Sequence, residues 1–155
     1  VGGQFGVNFI WNHTSEYVVT GIESGDAVDF AGEVLNPDDR ANLNLSYGYE
    51  DWNFTWRMRY WASSVDSVEG NNYNFTNYAP LEEYNEFPSV IYHDVSASYA
   101  ISDDMNISLV VRNAFDKQPP VANQSSVNGG TGINTVSEAY DVTGRYMQAS
   151  FTARF

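Results

Sequence analysis

The last eleven residues, Arg145-Tyr-Met-Gln-Ala-Ser-Phe-Thr-Ala-Arg-Phe155, alternate strictly with period two. Met147, Ala149, Phe151, Ala153 and Phe155 fall on one side, and Tyr146, Gln148, Ser150, Thr152 and Arg154 on the other. Successive side chains of a strand point to opposite faces, so this segment needs an apolar environment on one face and a wet one on the other. A closed barrel in a bilayer supplies that pair. A sheet laid over a soluble core supplies it too.

Five more segments repeat the pattern. Phe5, Val7, Phe9 and Trp11 share a face. So do Leu43, Leu45, Tyr47 and Tyr49, then Trp52, Phe54, Trp56, Met58 and Tyr60. Val95, Ala97, Tyr99 and Ile101 follow, then Met105, Ile107, Leu109 and Val111. Helical spacing is sustained nowhere, so the chain reads as nearly all β, with about six antiparallel strands. Two connections are tight, at Glu50-Asp51 and Ser102-Asp103-Asp104, and three are long: Thr20–Asp39, Ser63–Val90 and Phe115–Gly144. Tight and long connections alternate. In an up-and-down sheet all tight turns then fall at one end and all long loops at the other. Loops of this length are unusual in compact soluble domains. Outer-membrane barrels combine short periplasmic turns with long extracellular loops. Strands of about ten residues, tilted by about 40–45°, rise roughly 25 Å, the height of the apolar band. Trp11, Trp52, Tyr60, Tyr99 and Phe155 lie toward strand ends, as aromatic girdles would.

Composition narrows the class. No apolar run approaches the roughly 18 residues of a transmembrane helix, which says nothing against a barrel. Cys is absent, so neither disulfides nor thiolate metal sites are expected. The start, Val1-Gly2-Gly3-Gln4, has no initiator Met and no secretory leader, and reads as internal to something longer. The net charge is −13, from 20 acidic and 7 basic residues. That balance argues against a nucleic-acid partner. The acids cluster outside the alternating segments, as in Glu16, Glu23, Asp26, Asp29, Glu33, Asp38 and Asp39, and again in Asp66, Glu69, Glu82, Glu83 and Glu86. Solvated loops account for them; a cationic substrate, or divalent ions shared with lipopolysaccharide, are the functional readings. The apolar faces mix Trp, Tyr, Met and Ala, whereas a sandwich core is usually aliphatic. The opposite faces carry Asn, Ser, Thr and Gln with Arg57, Arg59, Arg112 and Arg154, which suits a hydrated lumen.

The C-terminal half resembles the end of a TonB-dependent outer-membrane receptor. The residues that carry the likeness are Tyr92-His-Asp94 in one strand and Asn113-Ala-Phe-Asp-Lys-Gln-Pro-Pro120 closing the next. Tyr140-Asp-Val-Thr-Gly-Arg145 then leads into the terminal strand. The motif positions are Tyr92, Asp94, Asn113, Phe115, Asp116, Pro119, Pro120, Tyr140, Asp141, Gly144 and Arg145. The likeness covers roughly Arg40–Phe155, and the first forty residues in pattern only. It implies a barrel of about 22 strands with a plugged lumen, of which residues 1–155 are the C-terminal portion, without the plug domain. Six strands are fewer than the eight or so of the smallest membrane barrels. The expected role is active uptake of a scarce nutrient, whether siderophore, cobalamin or oligosaccharide, at the outer membrane of a Gram-negative bacterium. The implied partners are the remainder of the barrel and its plug, TonB through that plug, the barrel-assembly machinery, and outer-membrane lipid with lipopolysaccharide. Phe151 and Phe155 would belong to the signal that the assembly machinery reads. The alternative is a soluble, secreted β-sandwich that binds carbohydrate.

No catalytic constellation emerges, and no cofactor is expected. His13 and His93 lack the ligand geometry of a metal site. Gly129-Gly130-Thr131-Gly132 has no following Lys and helix, so it is not a phosphate cradle. Pro119-Pro120 ends a strand where the chain leaves the rim. Substrate contacts are expected from Tyr73, Phe75 and Tyr78, whose aromatic and amide neighbourhood suits stacking on a ring with hydrogen bonds to its edge; ordinary loop packing explains them at least as well. Arg57, Arg59 and Arg112 would face inward, toward an anionic substrate or, preferably, acids on the plug.

Overall fold

A computed structural model describes residues 2–21, 25–65, 86–122 and 134–154. Each alternating segment forms a strand. β1 (Gln4–His13), β4 (Asp39–Tyr49), β5 (Trp52–Trp61), β8 (Val90–Ser102), β9 (Met105–Arg112) and β10 (Tyr146–Ala153) build one antiparallel sheet in that order. β1 and β10 are its edges, and the sheet is open. Within the long connections lie two small hairpins that alternation did not reveal. β2 (Val18–Thr20) pairs with β3 (Ala27–Asp29), and β6 (Ser64–Val65) with β7 (Glu86–Phe87). Strands of two or three residues are too short to display a period.

The register turns six separate patterns into two faces. Val7, Leu45, Trp56, Val95, Val111 and Met147 form one row across all six strands. Phe5, Tyr47, Phe54, Ala97, Leu109 and Ala149 form the next. The opposite face carries Gly6, Ser46, Thr55, Ser96, Val110 and Gln148, then Asn8, Asn44, Arg57 and Asp94. A one-residue slip in any pair would invert that strand's faces, so the apolar pattern and the pairing enforce one another. The apolar face is exposed even on central strands, with Trp56 and Val95 each 40% accessible and Leu109 49%.

Tight turns and long connections occupy opposite ends, as expected. Tyr49 and Trp52 pair across the two-residue turn, where Glu50 adopts φ 51°. At this end Trp52 stacks on Phe54 with centroids 5.6 Å apart and tilts against Tyr99 at 4.7 Å. Near the other end Tyr60 and Trp11 share the same face. Aromatic rings at these two ends thus flank a middle of Val7, Leu45, Trp56, Val95, Ala97 and Leu109.

The buried core lies on the polar side, at the long-connection end. Val90 and Tyr92 alternate with the apolar face of β8, and Val34, Phe87, Ala122, Val136, Ala139 and Tyr140 close over them. Phe87 and Tyr140 meet at 6.0 Å. Burial pushes the Tyr140 phenol above its ordinary pKa, against the lowering effect of its hydrogen bond with Ser64. The first two long connections are tied together, since Val34 N–H donates to Val65 O (2.9 Å) and Val65 N–H to Gly32 O (3.0 Å). Removing the Phe87 ring, 1% exposed, should cost about 3–5 kcal/mol. Urea unfolding of Phe87→Ala followed by tryptophan fluorescence checks this.

Candidate functional site

A strand that leaves a ladder frees backbone N–H groups, and these need acceptors. Just past β9, Asn113 and Asp116 take left-handed conformations, φ 47° and 53°. The fully buried Asn113 side chain makes this turn tenable. Its Oδ1 accepts from Lys117 N–H (2.8 Å) and its Nδ2 donates to Lys117 O (3.0 Å). Asn113 N–H donates to Asp94 Oδ1 at 2.9 Å, and Ala114 N–H to His93 O at 2.7 Å. Asp116 Oδ1 then accepts from Arg145 N–H at 3.0 Å, joining the two ends of the last long connection. Gly144 beside it has φ 73°, and a Cβ there would lie 3.2 Å from that same oxygen. The left-handed backbone favours glycine, and a Cβ would make Asp116 Oδ1 give way by a few tenths of an ångström.

On the polar face, Arg59 of β5 reaches across β8. Its guanidinium lies 3.2 Å from Asp94 Oδ2, 3.3 Å from Asp94 Oδ1 and 3.5 Å from Asp141 Oδ2. It also sits 5.1 Å from the centre of the Tyr92 ring. Asp141 N–H donates to the Tyr92 hydroxyl at 3.2 Å, and Asp141 Oδ1 accepts from Thr143 N–H at 3.0 Å. Eight of the motif residues, Tyr92, Asp94, Asn113, Asp116, Tyr140, Asp141, Gly144 and Arg145, therefore come together around the entrance to β10. Pro119 and Pro120 lie just beyond the Asn113–Lys117 turn, outside any strand. Phe115 points elsewhere. It is 74% exposed and meets His93 edge-on at 4.9 Å. His93 in turn accepts a hydrogen bond from Trp56 Nε1 at its Nδ1, 3.1 Å away. His93 belongs to the apolar face, opposite Met58, which alternation with Val95 and Ala97 already implied.

The expected substrate residues separate. Arg59 is engaged within the chain. Arg57 is exposed on the polar face and donates through Nε to Asn44 Oδ1 at 2.9 Å. Arg112 lines an open cleft of about 420 Å³ with Asp141, Thr143, Gly144, Tyr146 and Gln148. Tyr73, Phe75, Tyr78 and Phe155 lie outside the described residues, and Phe151 is exposed on the apolar face, opposite Ile107. His13 and His93 lie on β1 and β8, three strands apart and four residues out of line, too far to share a ligand. His13 Nδ1 is 2.9 Å from Asp39 Oδ1, to which Trp11 Nε1 also donates. Among the described residues no three His, Asp or Glu side chains converge on one point.

No protein-family model matches the chain. No curated protein matches it. Among solved structures the chain is similar to a mutant form of the ferric enterobactin receptor from Pseudomonas aeruginosa, with a TM-score of 0.54 and 16% identity. The match covers 98% of this chain and 20% of the receptor, so the chain spans about a fifth of that receptor's length. At this identity the likeness concerns the fold: the six-stranded sheet follows the path of part of that receptor's chain.

Two outcomes follow from this geometry. Asn113→Ala strands the Lys117 N–H and carbonyl and places a Cβ-bearing residue without a polar side chain at φ 47°. It should destabilise by about 2–4 kcal/mol, measured by urea unfolding against Lys117→Ala, which leaves the backbone partners in place. In the β2–β3 hairpin, N–H donors of Ala31 and Tyr17 hold the exposed Asp29 carboxyl below its ordinary range. A depressed carboxyl pKa stabilises above the unfolded value, about 3.9, and that contribution is lost as pH falls through the folded value. Amide exchange at Tyr17 and Ala31 should accelerate there relative to neighbouring amides, and Asp29→Asn should abolish that dependence.

Proposed function

We propose that the chain is a six-stranded segment of a TonB-dependent outer-membrane receptor barrel, taking part in uptake of a scarce nutrient such as a siderophore, cobalamin or oligosaccharide. One observation carries the reading: the apolar face runs unbroken through every strand and is exposed, while the opposite face is polar and all long connections leave at one end. Lipid is the environment in which such a face is at rest, and a hydrated lumen suits the other. The likeness to a fifth of a ferric enterobactin receptor and the gathering of the motif residues at one rim both support it. In this reading the remaining strands pair with the free edges of β1 and β10, because unpaired edges are untenable in lipid. The long connections are extracellular, and Trp11 and Tyr60 belong to the outer girdle. Arg57 and Arg112 face the lumen, toward the plug or an anionic substrate. Nutrient entry is driven by TonB acting on the plug.

Leu109 and Val110 separate lipid from lumen by one residue. Leu109→Arg, near mid-height on the apolar face, should destabilise the membrane-inserted protein by about 2–4 kcal/mol, whereas Val110→Arg should change it little. Urea unfolding from phospholipid vesicles measures both. Equal effects, or a chain that is monodisperse and cooperatively folded in water without detergent, would overturn the reading.

A further inference from the structure

We infer that the network around Asp116, Asp141 and Arg59 is a register lock for β10. The inference stands on the sheet alone and does not depend on the membrane reading. The β9–β10 ladder resists a one-residue slip, because that would turn Met147, Ala149 and Phe151 onto the polar face. A two-residue slip is different. It preserves both faces and lets the backbone ladder re-form. Ala149 would move from Leu109 to Ile107 or Val111, and Gln148 from Val110 to Ser108 or Arg112, all tolerable neighbours. Within the ladder one side-chain bond distinguishes the registers, Ser108 Oγ to Ser150 Oγ at 2.7 Å.

The lock supplies what the ladder lacks. A two-residue slip moves β10 by roughly 6.6 Å along its axis. That breaks the Asp116 Oδ1 bond to Arg145 N–H, and it pulls Asp141 from Arg59 and from the Tyr92 hydroxyl. Tyr92 and Arg59 belong to β8 and β5, so the entrance to β10 is referenced to strands beyond its own neighbour. Gly144, at φ 73°, lets the chain pass close enough to Asp116 for the bond to form.

Cysteine cross-linking in the intact protein, isolated from the cells that make it, reads the register directly. Ala149→Cys is combined in turn with Leu109→Cys, Ile107→Cys and Val111→Cys. With the lock intact, only the Leu109 partner should cross-link. Asp116→Ala, Asp141→Ala or Gly144→Ala should raise the ratio of slipped to native product at least about tenfold, the scale of losing one hydrogen bond to a charged group. Asp116→Asn, which keeps an acceptor oxygen, should retain the native register. If the lock variants that accumulate cross-link only through Leu109, the inference is wrong. It is equally wrong if Ser108→Ala with Ser150→Ala slips the strand while the lock is untouched.

Discussion

The interaction on which the rest depends is the contact of one uninterrupted apolar face with its surroundings. Sheet hydrogen bonds hold the strands together in any solvent, but they do not choose a face. Here the choice is made by stacking row upon row of apolar side chains in register, from Val7 through Trp56 to Met147. The buried cluster lies elsewhere, around Phe87, Tyr92 and Tyr140 on the polar side. In a soluble sheet the apolar face would be the buried one. In this chain the arrangement is inverted: the core packs beneath the long connections, and the apolar wall faces out.

That inversion explains how much of the fold could be read from the sequence. Alternation is a local property with a fixed period, so the six long strands and the face of each of their residues were legible. The two tight turns were equally plain, because the alternating runs break there only briefly, at Glu50-Asp51 and at Ser102-Asp103-Asp104. β6 and β7 contribute two residues each, which no periodicity can register. Phe87 was invisible for the same reason: what buries it is the return of distant connections over β8, not its neighbours in sequence.

The rim site was half legible. Spacing of Tyr92, Asp94, Asn113, Asp116, Asp141 and Gly144 marked the segments, but spacing carries no partner. That Asp94 serves both Arg59 and the N–H of Asn113 depends on β5 lying beside β8 and on the chain turning inward after Arg112. Arg59 illustrates the limit. Alternation assigned it to the polar face with Arg57, and the two arginines differ there completely. One bridges two carboxylates above an aromatic ring; the other rests on an amide in the open.

The acidity of the chain acquires a structural cause from the same geometry. Every strand that ends at the long-connection rim releases N–H groups from the ladder, and carboxylates capture several of them. Asp29 accepts from Tyr17 and Ala31, Asp94 from Asn113, Asp116 from Arg145 and Asp141 from Thr143. A carboxylate is suited to this task because it offers two acceptor oxygens and donates nothing, and charge strengthens each bond. The cost is mutual repulsion among acids crowded at one end, and solvent at the exposed rim screens it. Acids such as Asp94, Asp116 and Asp141 are thus part of the architecture that ends one strand and starts the next. Their clustering is what an open rim with many departing strands, each releasing N–H groups that need acceptors, requires of its connections.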